Sequence, residues 1–257
     1  MIRKGYAISV SGKGGVGKTN LSALLIKCLC KSGSVLAIDA DPDANLSLVL
    51  GANDPNKSVG HVREMVLNSS SRSSIGEDKA GSLERILHET IEEYDTFDLI
   101  VMGRPEGEGC YCAVNNIIRH VIDQRSCSYD YVVIDCEPGL EHLSRRTTKD
   151  VDLMIVVTDA TKNGVLTARR IYELKEELLI KFSEFVLLAN KITAETKDIV
   201  TSLASQQKME IEAYIPYDPF LYEADVRGLS LIDIPESSGA LIAVKTFVEE
   251  RIVSLNR

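Results

Sequence analysis

Short apolar runs rich in Val and Ile recur along the chain, alternating with stretches whose apolar positions follow a helical period, and Gly, Asp, Asn or Ser bounds both kinds. The runs predict strands at Tyr6–Ser11, Val35–Asp39, Leu99–Met102, Tyr131–Asp135, Leu153–Thr158, Phe185–Asn190 and Glu210–Ile215. Each is apolar along nearly its whole length, the pattern of a strand covered on both faces. The amphipathic stretches predict helices that include Gly17–Ser32, Asn116–Gln124, Gly164–Leu179, Glu195–Ser205 and Gly239–Ser254. Right-handed βαβ crossovers then give an α/β fold, a doubly wound, mostly parallel sheet with helices on both faces. No internal repeat or proline-rich linker breaks the pattern, so residues 1–257 are read as one domain. The serine-bearing stretch Asn68–Lys79 reads as a solvated loop.

Composition sets limits on this picture. The chain is 44% hydrophobic and 26% charged, ordinary for a globular protein. No stretch approaches the ~18 unbroken apolar residues of a spanning helix. Met1-Ile2-Arg3-Lys4-Gly5 runs directly into the first strand, which leaves no room for a secretory leader, and a cytoplasmic location is expected. A net charge of −9 argues against nonspecific nucleic-acid binding, which depends on Lys and Arg neutralising phosphates. The C-terminal Ala243–Ser254 mixes acidic with basic residues, unlike a basic amphipathic membrane anchor. Neither nucleic acid nor membrane is expected as a partner. Six cysteines without an export signal read as thiols, metal ligands or packing rather than disulfides.

The chemistry is concentrated after the first strand, at Gly12-Lys13-Gly14-Gly15-Val16-Gly17-Lys18-Thr19. A strand, then Gly-x-x-x-x-Gly-Lys-Thr, then an amphipathic helix, is the pattern and the context of a P-loop nucleoside-triphosphatase. Glycines let the backbone curl so that N–H groups face phosphate oxygens, and the following helix presents its positive end. Lys18 is expected to reach the β- and γ-phosphates, and the Thr19 hydroxyl to bind Mg²⁺, which keeps several waters and takes few protein ligands.

Lys13, a second lysine within the loop, makes Lys13–Thr19 resemble the deviant Walker A motif of the MinD, Mrp and nitrogenase-iron-protein superfamily. The resemblance implies ATP and ADP as ligands and a nucleotide-dependent homodimer in which Lys13 crosses to the partner's nucleotide, much as an arginine finger does. Asn20 stands where the family has Thr or Ser, one residue beyond the metal ligand. Asp39-Ala40-Asp41-Pro42 falls where the family places its first switch, Asp41 aligning with a water-orienting carboxylate and Asp39 lying near the Mg²⁺ shell. Alone, such a segment would be a turn or a helix cap. Val132–Asp135, followed by Cys136-Glu137-Pro138-Gly139, matches Walker B and the second switch. That match puts Asp135 on the Mg²⁺ waters and the Gly139 N–H toward a γ-phosphate. Asn190-Lys191 and Ile215-Pro216-Tyr217-Asp218 lie where the family reads the purine; Asn190 reads equally as a turn residue.

Cys110-Tyr111-Cys112 supplies two thiols where a tetrahedral site needs four, and a second subunit on a two-fold axis would supply the rest. With Gly139–Leu143 and the loop lysines, this pair resembles the CooC-type maturation ATPases, including AcsF proteins. That narrower resemblance implies Ni²⁺ or Zn²⁺ shared across the dimer and a client nickel enzyme, carbon monoxide dehydrogenase or acetyl-CoA synthase. Two other functions stay open, an iron–sulfur carrier or reductase component and a MinD/ParA-like positioning ATPase. Cys28, Cys30, Cys127 and Cys136 read as packing or incidental thiols, and His142 as a helix-start residue, with a metal ligand or a switch contact as its alternative.

Overall fold

The computed structural model describes residues 5–52, 58–61, 89–103, 128–136, 150–177 and 181–254. Among the described residues eight strands form one sheet: β1 (Tyr6–Gly12), β2 (Val35–Ala40), β3 (Ile91–Glu93), β4 (Asp98–Val101), β5 (Tyr131–Cys136), β6 (Asp150–Thr158), β7 (Lys181–Ile192) and β8 (Ile211–Pro216). Their order is β3-β4-β2-β5-β1-β6-β7-β8, parallel throughout except for the antiparallel pair β3–β4. The helices among the described residues include α1 (Lys18–Leu29), α2 (Asn45–Leu50), α3 (Lys162–Glu177), α4 (Ala194–Gln206), α5 (Pro219–Arg227) and α6 (Gly239–Phe247). The doubly wound, mostly parallel sheet read from the apolar runs is the one observed.

Successive residues of a strand face opposite sides, and the core accordingly divides in two. Ile8, Val10, Ala37, Val133 and Ile155 pack against α1 and α6, whereas Ala7, Ile38, Ile134 and Val156 pack against α3 and α4. Helix α1 is covered almost all round, with Leu21, Leu24, Leu25 and Leu29 at most 2% exposed. Truncating one of these leucines to alanine costs about 2–5 kcal/mol through lost burial plus a cavity.

The last third of the chain folds back onto this helix. Lys27 donates to the carbonyls of Ile232 and Ile234 at 2.6 and 2.7 Å, and Ser230 Oγ donates to the Leu50 carbonyl at 3.1 Å. Asp218 caps α5 by accepting from the Phe220 N–H at 2.9 Å and fixes the start of α6 by accepting from Ser238 Oγ and the Ala240 N–H. Burial raises its pKa, but these hydrogen bonds outweigh that and hold it below the usual carboxylate value.

Several elements differ from expectation. Strand β3 is short and carries two glutamates, which gives no apolar run to read. The expected helix Gly239–Ser254 is α-helical only to Phe247 and ends in a π turn over Val248–Val253. The expected helix Asn116–Gln124 and loop Asn68–Lys79 lie outside the described residues.

Candidate nucleotide-binding site

The carboxyl ends of β1, β2 and β5, the place where open parallel sheets hold ligands, carry the predicted loop and carboxylates. Gly12 ends β1 at φ 149°, so close to the Val157 carbonyl of β6 that a Cβ there would collide with it. Gly15 and Gly17 have φ of 84° and 90°, the left-handed region that glycine enters without strain. Val16 anchors the loop in the core, while Gly14 and Gly15 are exposed and Lys13 is half-buried. Helix α1 starts from Gly17 with no side-chain cap and no acidic residue in its first turn. Its first N–H groups are thereby left for an anion.

Lys18 is buried and its ammonium faces the Lys13 carbonyl at 3.5 Å. Burial pulls its pKa below the usual lysine value, against the opposing influence of Asp135 and Asp41. Asp39 and Asp135 are in register on the adjacent strands β2 and β5, on the face toward α1. Asp135 Oδ1 accepts from Ser22 Oγ at 2.9 Å, and Thr19 also bonds to this carboxylate. Asp39 accepts from the N–H groups of Asp41 at 3.2 Å and Ser47 at 3.0 Å. Burial pushes Asp39 up to about 7 and Asp135 up to about 6, each raised further by neighbouring carboxylates. Asp41 is buried and accepts from the Asp43 N–H at 2.9 Å.

Lys18, Thr19 and Asp41 border a cleft of about 660 Å³, whose walls also include Lys191, Asp225 and Leu229. That volume suits a mononucleotide. Asn20 also lines it. Among the described residues no three His, Cys, Asp or Glu side chains gather to hold a metal by themselves. Magnesium fits here all the same, because it needs little more than the Thr19 hydroxyl, waters oriented by Asp39 and Asp135, and substrate phosphate oxygens.

The segments expected to read the base are placed differently from one another. Asn190 is buried with its amide on the Val16 carbonyl at 2.9 Å, and Lys191 reaches the Gly15 carbonyl at 2.9 Å. Lys191 has φ 60°, a conformation that costs a residue with a Cβ about 1–2 kcal/mol. Pro216 ends β8 opposite Ile192, and Tyr217 donates its N–H to the Ile192 carbonyl with its side chain 52% exposed; neither lines the cleft. Instead Ala224, Asp225, Gly228 and Leu229, from α5 and the turn after it, form that wall. Asp218-Pro219 and Gly228 mark the two ends of α5 in the sequence, but only the tertiary fold brings this helix to the cleft. Gly139, Cys110 and Cys112 lie outside the described residues. Cys28 and Cys136 are buried, Cys30 is partly so, and burial pushes all three thiols up to about 11, in keeping with packing.

Fold and site thus define a nucleotide-binding P-loop ATPase with the MinD/ParA-like fold. A family model described as an AAA domain matches residues 6–181, and the chain belongs to that family. An uncharacterized ATP-binding protein of Methanocaldococcus jannaschii is 44% identical over 95% of this chain and 98% of its own. The carbon monoxide dehydrogenase accessory protein CooC of Rhodospirillum rubrum is 31% identical over 88% of this chain and 89% of its own. Among solved structures, the septum site-determining protein MinD of Pyrococcus horikoshii, complexed with Mg-ADP, superposes with a TM-score of 0.68 at 22% identity, covering 98% of each chain.

Proposed function

We propose that this protein is a Mg²⁺-dependent, ATP-hydrolysing dimeric metallochaperone that delivers nickel to carbon monoxide dehydrogenase or acetyl-CoA synthase. The observation that carries the ATPase part is the set of buried charges at the phosphate loop, with Lys18 and Asp41 on the cleft wall and Asp39 and Asp135 in register on the adjacent strands β2 and β5. The likeness to CooC along nearly the whole chain supports the delivery part.

In this reading Lys18 and the N–H groups of Gly14 to Thr19 hold the polyphosphate, and Asn20 lies beside them on the cleft wall. Thr19, Asp39 and Asp135 hold magnesium, which supplies charge neutralisation at the phosphates. Asp41 orients the attacking water, and Gly139 gives its N–H to the γ-phosphate. Lys13 acts across the dimer. Lys13→Ala is expected to lower turnover and ATP-dependent dimerisation while ADP affinity of the monomer stays within about threefold, because its cation matters only once the partner has docked. Sedimentation with ADP and with a nonhydrolysable ATP analogue checks this; normal dimerisation with full activity removes the role.

Cys110 and Cys112 of both subunits form a four-thiolate site for one soft divalent ion, nickel or zinc. Titrating each metal into the wild type, Cys110→Ser and Cys112→Ser tests it. The expected result is one ion per dimer and loss of most of the affinity in either variant, with ATP binding intact. One ion per monomer, or binding untouched by the substitutions, rules out the shared site. A brown iron- and sulfide-containing protein after anaerobic purification would favour the iron–sulfur carrier.

The likeness to MinD favours a second reading, a positioning ATPase. The C-terminal helix speaks against a membrane-bound version of it, since Ala240, Leu241, Val244 and Phe247 are spent on the core.

A further inference from the structure

The carbonyls of the phosphate loop are held from outside by the dipeptide Asn190-Lys191 near the end of β7. Asn190 Nδ2 donates to the Val16 carbonyl and Lys191 Nζ to the Gly15 carbonyl, each at 2.9 Å. In a trans peptide the N–H and C=O point in opposite directions. Tying these two carbonyls toward β7 therefore turns the N–H groups of Val16 and Gly17 the other way, into the loop. The Val16 N–H does face inward, toward the Lys13 carbonyl at 3.5 Å, the same oxygen that Lys18 Nζ faces.

The dipeptide is shaped for this task. Lys191 holds a left-handed φ of 60°, and the β7–β8 ladder shifts register between Ala189 and Ile192. A Cβ on residue 17 would collide with the Asn190 amide, so Gly17 serves both the turn and the close approach. Asn190 is 4% exposed, and its Nδ2 is spent on the loop.

We propose that Asn190 and Lys191 are positioning residues that preorganise the phosphate loop, so that Asn190 governs recognition of the polyphosphate whatever base the nucleotide carries. The proposal rests on the nucleotide reading above. Two carbonyl dipoles are held away from the anion before it arrives, and no reorientation is left for the moment of binding. The Lys191 ammonium adds positive charge at the Gly15 edge of the loop.

Asn190→Asp separates the two roles at constant size. It sets a carboxylate oxygen against the Val16 carbonyl, which breaks the tie, and it would turn an amide that reads adenine into an acceptor pair that suits the N–H groups of guanine, so base reading would show as a shifted ATP-to-GTP ratio. The probes are Mg-ATP, Mg-GTP and inorganic tripolyphosphate with magnesium, the last having no base to read. Affinities for ATP and tripolyphosphate are expected to fall together by about tenfold or more, the scale of losing an organising hydrogen bond, with the ATP-to-GTP ratio unchanged. Lys191→Met, an exposed change that keeps the stem, is expected to weaken both probes by about three- to tenfold. It decides the matter should Asn190→Asp fold poorly. Loss confined to ATP, or a shifted ATP-to-GTP ratio with tripolyphosphate unaffected, overturns the proposal in favour of base reading. Wild-type affinity in both variants, with a wild type that binds both probes, overturns the clamp alone. A wild type that binds neither probe overturns the nucleotide reading itself.

Discussion

The two ends of the parallel strands treat charge in opposite ways. At the amino ends, Arg251 reaches Glu184 of β7 at 2.8 Å and Glu212 of β8 at 3.1 Å, and Asp152 of β6 accepts from the Ala7 N–H of β1 at 2.8 Å. At the carboxyl ends, Asp39 and Asp135 lie side by side, buried and raised toward neutrality, near a lysine that burial also discourages from carrying its charge. The first arrangement spreads paired charge at a partly exposed rim, where it serves the fold. The second gathers groups at a cost in stability that nothing in the packing requires, and such concentrations mark functional sites.

The largest test of this contrast is Lys18→Ala, expected to weaken ATP binding by about a hundredfold or more, since backbone amides alone would then face the phosphate charge. Arg251→Ala should leave that affinity unchanged. Calorimetric titration of both variants checks it, and a comparable loss in each would erase the distinction between the two ends.

An intermediate effect concerns pH. In the nucleotide-free fold Asp39 and Asp135 keep protons that the unfolded chain releases near pH 3.8. Their raised values therefore contribute stability that is complete below that pH and is lost as pH rises through about 6 for Asp135 and about 7 for Asp39. Asp135→Asn removes one share of this loss, and the Ser22 and Thr19 hydroxyls can turn to suit the amide. Denaturant unfolding should show the variant about 1–2 kcal/mol more stable than wild type at pH 7.5, with the difference vanishing near pH 4. A variant equally destabilised at both pH values would sink the assignment of Asp135 as a strained, cation-awaiting group.

The smallest effect belongs to the other end. Arg251→Ala should cost no more than about 1 kcal/mol in the same assay, because its side chain is 31% exposed and ion pairs of that kind are screened. A loss of several kcal/mol would mean that the rim, too, is a concentrated site.

The same contrast explains what the sequence discloses. The strands were readable because parallel strands buried on both faces are continuously apolar, and the loop because its glycines keep a fixed spacing before a helix. Asp39 and Asp135 were readable because each ends such a strand. The Asn190 tie to Val16 spans 174 positions and leaves no local pattern. The family resemblance puts Asn190 at the purine, with a turn residue as the equal alternative, and neither reading contains the bond from its amide to the loop. Asp225 and Leu229 were missed for a related reason: α5 carries its own end signals, but nothing in them says that it closes the cleft.

The bonds from Lys27 to Ile232 and Ile234 carry a consequence for biosynthesis. They join residues 205 and 207 positions apart, so a growing chain completes α1 long before the carbonyls that steady it have been made. The far wall of the cleft, from Ala224 to Leu229, is synthesised in the same late interval, as are the two residues that set the loop's peptides. A nascent chain that has delivered only the strands up to β6 thus owns the phosphate-loop sequence without its enclosure. The enclosure of the loop therefore waits until the segment from β7 onward has been made and has packed against helix α1.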